Sequence, residues 1–168
     1  GESVSIGKGA LISGTAGTTG ENVAIGENAL FALTTGTNNI AIGKDTLLNI
    51  QTARNNIAIG KNSQLGSTTG ISNISLGFNS LSQSNVGERN VAIGHTATQN
   101  TTSSFDISGN VILGPSALAN GITAAGSINN NVIIGESAAN SLSTSNFTNS
   151  VIVGYKAGQA LQGNSNGD

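Results

Sequence analysis

The sequence has few of the residues that build an ordinary globular core. Its 168 residues include no cysteine, tryptophan or methionine, and only 3% are aromatic and 8% charged. The lack of cysteine excludes a disulfide framework and a thiolate metal site. Six scattered Lys and Arg residues and a net charge of -2 provide no basic stripe for phosphates, so no nucleic-acid partner is expected.

Long hydrophobic runs are also missing. A membrane-spanning helix needs about 18 or more consecutive apolar residues, and no such run occurs, so no membrane insertion by this segment is expected. Disorder is not indicated either, because 36% of the residues are apolar and the net charge is small. The 24 glycines and the many Asn, Ser and Thr residues favour turns, while Val and Ile favour strands.

A four-residue unit recurs nine times along the chain. It contains an aliphatic residue, a variable residue, a second aliphatic residue and a glycine, as in Ile40-Ala41-Ile42-Gly43, and its glycines are 17 to 21 residues apart. The alternation of the first three residues has the period of a strand with one buried face. We therefore predict an all-β fold, a parallel β-solenoid (β-roll) of nine coils of about 17–21 residues. Residues 1–168 form a single repeat domain, either complete or as a fragment of a longer fibre.

The glycine that ends each unit is predicted to turn the chain at a corner. A positive φ, or close approach of another backbone, would exclude a side chain there. The nine structural corner glycines are Gly7, Gly26, Gly43, Gly60, Gly77, Gly94, Gly114, Gly135 and Gly154. Pairs of a small and an aliphatic residue that follow shortly afterwards, such as Ala29-Leu30 and Ala117-Leu118, predict a second short strand in each coil.

An asparagine precedes the aliphatic triplet in seven coils. Stacked amides of this kind can hydrogen-bond to one another along the axis of a solenoid and to backbone groups at the bend. A role in forming the turn alone is the other interpretation. The residues of this predicted asparagine ladder are Asn22, Asn39, Asn56, Asn73, Asn90, Asn110 and Asn131.

The first and third residues of the triplet are predicted to point into the coil, so the middle residue should face outward. Because the middle residue is small or apolar, the outward face is expected to pack on another chain. The alternative is that long C-terminal loops of the same chain cover this face. The predicted oligomer-interface residues are Ala24, Ala41, Ala58, Ala92, Ile112, Ile133 and Ile152.

Runs of Asn-Val-Ala-Ile-Gly or Asn-Ile-Ala-Ile-Gly, at residues 22–26, 39–43, 56–60 and 90–94, resemble the head repeats of trimeric autotransporter adhesins. Similar runs occur in phage and viral tail fibres, and the resemblance covers nearly the whole chain. It implies a left-handed β-roll, a homotrimer and an extracellular location on a bacterial cell surface or a virion fibre. The coils here are longer than those of adhesin heads, which leaves bacterial and viral origin as alternatives.

No catalytic residue, metal site or cofactor is predicted, and the chain is not expected to be an enzyme. The single histidine, His95, follows a corner glycine at a variable position, which favours an exposed surface residue over a Ser-His-Asp triad. The eight carboxylates show no calcium-binding pattern. The glycines follow the coil period rather than the pattern of a nucleotide-binding loop.

The expected function is that of a structural and adhesive fibre segment, a homotrimer that binds a host-surface protein or glycan. The alternatives are a self-assembling filament, a passive spacer without receptor binding, or an ice-binding surface, which would need a regular threonine array that this sequence lacks. Recognition requires chemically diverse side chains. The receptor-binding candidates are Lys44, Lys61, Phe78, His95 and Tyr155, supplemented by loops bearing Phe105 or Phe147.

Overall fold

The computed structural model describes residues 2–13, 20–66, 68–82, 86–99, 105–119, 126–142, 146–159 and 165–166. In these ranges every regular element is a short β-strand. The strands are β1 (Val4–Ile6), β2 (Val23–Ile25), β3 (Ile40–Ile42), β4 (Ile57–Ile59), β5 (Ile74–Leu76), β6 (Val86–Glu88), β7 (Val91–Ile93), β8 (Phe105–Ser108), β9 (Val111–Leu113), β10 (Gly126–Asn129), β11 (Val132–Ile134), β12 (Asn146–Thr148), β13 (Val151–Val153) and β14 (Ser165–Asn166).

The nine aliphatic triplets form one sheet, in the order β1-β2-β3-β4-β5-β7-β9-β11-β13. Neighbouring strands are parallel and in register, so that Ile40 pairs with Val23 on one side and with Ile57 on the other. Parallel strands cannot be joined by a tight hairpin, and here one full coil of chain connects each strand to the next. This arrangement confirms the predicted all-β parallel solenoid.

A second parallel sheet lies on another side of the coils, in the order β14-β12-β10-β8-β6. In the earlier coils, the residues two positions before the ladder asparagines form isolated parallel bridges in place of full strands. Gly20 pairs with Thr37, and Arg54 pairs with Ile71. The prediction of a second strand at Ala29-Leu30 is therefore wrong. That segment forms a turn in which Leu30 has a φ of 52°, and the second strand comes before the asparagine instead.

The orientation of the triplets is the reverse of the prediction. From the second coil onward, the middle residues point into the solenoid and are buried, from 0% exposure at Ala24 to 7% at Ile152, whereas the flanking aliphatic residues face outward. In the first coil the middle residue, Ser5, is exposed. The predicted interface is therefore wrong. The interior residues concerned are Ala24, Ala41, Ala58, Ala92, Ile112, Ile133 and Ile152.

The interior is filled by residues from the turns as well as from the strands. In the early coils, Leu30 and Leu33 pack inside with the small side chain of Ala24. Toward the C-terminus the strands contribute the larger Ile112 and Ile133, while the turns contribute both alanines and leucines, such as Ala117 and Leu118. In the early coils the interior is close-packed, and there the leucines of the turn pack with an alanine on the strand.

Candidate functional site

The outer face of the main sheet consists of the first and third residues of the nine triplets, two columns with nine aliphatic side chains each. All eighteen are half-buried or exposed in the single chain. At the two ends of the sheet the exposed fraction reaches 58% at Ile6 and 72% at Val151. We call this surface the aliphatic face.

The aliphatic face is long and free of charge. Nine parallel strands about 4.8 Å apart extend about 40 Å along the axis, and all eighteen residues are Val, Ile or Leu. Soluble monomers rarely expose contiguous apolar patches larger than a few hundred Å². The sequence showed these large residues in each triplet, but we predicted that they point inward, so we did not expect them to form a surface.

The corner glycines allow successive coils to stack. All nine have φ between 122° and 138°, a range that side-chain-bearing residues rarely adopt. At Gly60, an added Cβ would lie 2.6 Å from the carbonyl oxygen of Gly77 in the next coil. The corner therefore requires glycine both for its backbone angle and for the close approach of the next coil.

The second residue after the corner also has a positive φ, although in eight of the nine coils it is not a glycine. Asn28, Asp45, Asn62 and Asn79 have φ between 52° and 58°, and asparagine and aspartate tolerate this region better than most residues. The side chain of Asn62 donates a hydrogen bond to that of Asn79 at 3.0 Å. The residue before each of them directly follows the corner glycine, and the receptor-binding candidates occupy this position at the exposed edge of the corner.

The seven asparagines form a continuous buried ladder. In the first six, Oδ1 accepts bonds from the backbone N of the next ladder asparagine, at 2.9–3.1 Å, and from its Nδ2, at 3.0–3.3 Å. Each Nδ2 also donates to a carbonyl oxygen across the coil, at 2.7–3.0 Å. The amides therefore cross-link neighbouring coils, and their role exceeds turn formation.

Serine occupies both ends of the ladder. The Oγ of Ser3 accepts a bond from the backbone N of Asn22 at 3.2 Å. At the other end, the backbone N of Ser150 donates to Oδ1 of Asn131 at 2.9 Å. Both serines occupy the position before the triplet, so the alignment of the nine units was the signal that could have identified them.

The predicted receptor-binding residues are all exposed, and contacts divide them into separate groups. Nζ of Lys44 lies 2.6 Å from a carboxylate oxygen of Glu27, and this hydrogen bond raises the pKa of Lys44 above its ordinary value. The pair neutralises its own charges. A charge-neutral pair on a solvated surface contributes little attraction for an external ligand.

A second group consists of Lys61, Phe78 and His95 on three successive coils. The rings of Phe78 and His95 are stacked with centroids 5.3 Å apart and an interplanar angle of 18°. Nζ of Lys61 lies 6.0 Å from the centroid of Phe78, near the limit for a cation–π contact. We call these three residues the corner stack.

The remaining candidates do not join the corner stack. Tyr155 is 67% exposed, and its ring lies 5.1 Å from Nζ of Lys156. Phe147 is buried in the interior with 1% exposure, so its inclusion as a possible receptor contact is wrong. The side chain of Phe105 lies outside the part of the chain that can be described.

Within the described ranges, no group of three or more His, Cys, Asp and Glu side chains is placed to hold a metal ion. A surface cleft of about 220 Å³ is lined by Asn28, Phe31, Leu48 and Asn49, which is below the usual volume of a small-molecule pocket, about 300 Å³ or more. The same part of the chain has no helix that is both long and apolar enough to cross a membrane.

Comparisons of the chain with protein-family models, curated proteins and solved structures found no match. The surfaces described above therefore supply the argument for function.

Proposed function

We propose that this chain is a structural and adhesive segment of a homotrimeric fibre that attaches to a host surface. The observation that supports this most strongly is the aliphatic face, which is at least partly accessible to solvent along all nine coils of the single chain. A fibre subunit needs a rigid rod and a surface that joins it to neighbouring chains. The stacked parallel sheets provide the first, and the aliphatic face is suited to the second.

A second copy of this chain is the partner that best complements the aliphatic face. The face repeats at each coil and contains only Val, Ile and Leu, so copies aligned along the axis would bury equivalent residues in every coil. Burial of apolar surface contributes about 25 cal/mol per Å². We infer three chains per assembly from the resemblance to trimeric adhesin heads. The resemblance to those heads and to viral fibres also implies a bacterial cell surface or a virion fibre as the location.

Attachment to the host requires a surface that stays outside the assembly. The corner stack of Lys61, Phe78 and His95 combines a cation, an aromatic ring and an imidazole at an exposed corner. Aromatic and cationic side chains dominate the energetics of many interfaces. We assign recognition of a host-surface protein or glycan to the corner stack in preference to the self-neutralised pair of Lys44 and Glu27.

The assembly is tested by measuring molar mass with light scattering at micromolar concentration. The wild-type chain has a mass of 16.6 kDa, so a trimer should give about 50 kDa. Ile93→Asp, on the aliphatic face, should yield folded monomers, because the introduced charge would be desolvated at the interface. Lys61→Asp is the control, since it places the same side chain at an exposed corner and should leave the mass unchanged.

A wild-type monomer would refute the proposed assembly, and open-ended polymers would favour the filament alternative. Adhesion is tested separately by applying the wild-type trimer to host cells and glycan arrays. Phe78→Ala and His95→Ala should each reduce binding without changing the mass. Binding unaffected by both changes would exclude the corner stack, and no binding of the wild type to any surface would favour a passive spacer.

A further inference from the structure

The buried apolar residues form two separate groups along the axis. One extends from Ala24 to Ala58 and the other from Leu81 to Ile152. From the end of the first group into the beginning of the second, the interior is largely polar. In residues 59–99, as far as the chain is described, the fully buried apolar side chains are Leu81, Ala92 and Ala97.

The polar part of the interior consists mainly of hydroxyl groups and one amide, and we call it the polar segment. Its buried residues are Ser63, Gln64, Ser75, Ser80, Ser82, Thr96 and Thr98. Some of these groups are well paired. The hydroxyls of Ser63 and Ser75 lie 2.7 Å apart, and that of Ser80 donates to the carbonyl of Ala92 at 2.9 Å.

Three side-chain atoms of the polar segment are buried without a hydrogen-bond partner in the described part of the chain. They are Oε1 of Gln64, Oγ of Ser82 and Oγ1 of Thr98. A buried polar group left unpaired costs about 1–3 kcal/mol. These atoms lie on three consecutive coils, so the cost is concentrated in one third of the nine coils.

Gln64 also interrupts a column of leucines. The fourth residue after the corner is Leu30, Leu47, Gln64 and then Leu81 in consecutive coils. The amide Nε2 of Gln64 donates to Oδ1 of Asn56 at 3.3 Å, a long bond to an oxygen that already accepts two others from Asn73. Gln64 thus replaces apolar contacts with the coils above and below by one weak hydrogen bond.

We propose that the polar segment is the point at which the solenoid opens, dividing it into two cooperative units joined at the coils of β4, β5 and β7. In a repeat protein, stability is approximately a sum of contributions from coils and from contacts between neighbouring coils. The main sheet and the asparagine ladder continue through the segment, so the units remain connected. Water that enters on opening binds the unpaired atoms of Gln64, Ser82 and Thr98.

Hydrogen exchange of the wild-type protein tests this directly, because protection reports local opening free energies. Amides of β4 and β5 should exchange about tenfold or more faster than those of β3 and of β11, although all of these strands lie away from the ends of the sheet. Equal or slower exchange in β4 and β5 would overturn the proposal.

A matched pair of variants tests the cause. Thr98→Val removes an unpaired hydroxyl at nearly constant volume and should slow exchange in the polar segment. Thr46→Val makes the same change at a buried threonine whose Oγ1 donates to the carbonyl of Gly60 at 2.8 Å, so it should accelerate exchange. If both variants accelerate exchange alike, Thr98 is bonded and the proposal fails.

Gln64→Leu provides a second measurement, because it restores the leucine column. It should slow exchange in β4 and β5 and raise the melting temperature. A folded Gln64→Leu protein with lower protection there would contradict the proposal, and if this variant does not fold, the comparison of the two threonines decides. The prediction does not depend on the oligomeric state, since all the residues concerned are buried within one chain.

Discussion

Gly60 illustrates, at the scale of one residue, why every coil ends its strand with glycine. Two constraints act there together, a φ of 122° and the carbonyl oxygen of Gly77 2.6 Å from the position of a Cβ. Gly154 has a φ of 131°, but its nearest contact would be the Cβ of Ala157 at 3.6 Å. Among the described residues, the corner at Gly154 therefore has the strained angle without the close approach of another backbone.

This difference gives a prediction that separates backbone strain from steric overlap. Gly154→Ala should cost about 1–3 kcal/mol of unfolding free energy, the usual cost of a residue held at an unfavourable φ. Gly60→Ala should cost clearly more, because stacked backbones must also move apart. Denaturant unfolding of the two variants measures the difference. Equal destabilisation would show that close stacking does not restrict the corner.

At the scale of the structural element, the asparagine ladder links each coil to the next by hydrogen bonds between buried side chains and backbone groups. Asn56 donates through Nδ2 to Oδ1 of Asn39 and to the carbonyl of Gly70, and its Oδ1 accepts from the backbone N of Asn73. All of these groups are buried. Removing one amide therefore leaves several buried groups without a partner.

Asn56→Ala should lower the unfolding free energy by about 3 kcal/mol or more, because each buried orphaned group costs about 1–3 kcal/mol. Asn49→Ala, an exposed asparagine outside the ladder, is the control and should change it by less than about 0.5 kcal/mol. Thermal and denaturant unfolding measure both. A small effect at Asn56 would mean that the ladder adds little beyond the sheets.

Asn56→Asp adds a dependence on pH. Only the neutral carboxyl can donate to the carbonyl of Gly70, so folding raises the pKa of the introduced group above its unfolded value. Its stabilising contribution is then present at low pH and lost as the pH rises. The loss of unfolding free energy relative to the wild type should therefore be smaller at acidic than at neutral pH. A larger loss at acidic pH would refute the assigned donor role.

At the scale of the whole molecule, the aliphatic face makes stability depend on assembly. If copies of the chain bury this face against one another, unfolding is coupled to dissociation, and the melting temperature depends on protein concentration. For a trimer of chains this size, a tenfold increase in concentration should raise it by about 2–4 °C. Scanning calorimetry over a hundredfold concentration range measures the effect.

Two aspartate substitutions on one strand complete this test. Ile93→Asp lies on the aliphatic face and should abolish the concentration dependence while leaving a folded chain. Ala92→Asp, the adjacent interior residue with 0% exposure, should prevent folding at every concentration because it buries an unpaired charge. If Ile93→Asp keeps the wild-type dependence, assembly uses another surface.

The sequence by itself determined the features that repeat in every coil. The spacing of the corner glycines sets the length of a coil, the three-residue alternation specifies a strand, and the asparagine before it specifies the ladder, because each depends on local chemistry at a fixed position. The sequence also showed the change from alanine to isoleucine at the middle position. These signals sufficed for the fold class and for the residues at the corners.

Only the tertiary structure decided which face of the triplet is inside. A period of two places the first and third residues together, but it is the same whether that pair points inward or outward. Leucines from the turns, such as Leu30 and Leu33, fill the interior and leave room on the strand only for Ala24. The larger aliphatic residues therefore lie outside, because close packing across distant segments, rather than local pattern, assigns the faces of a strand.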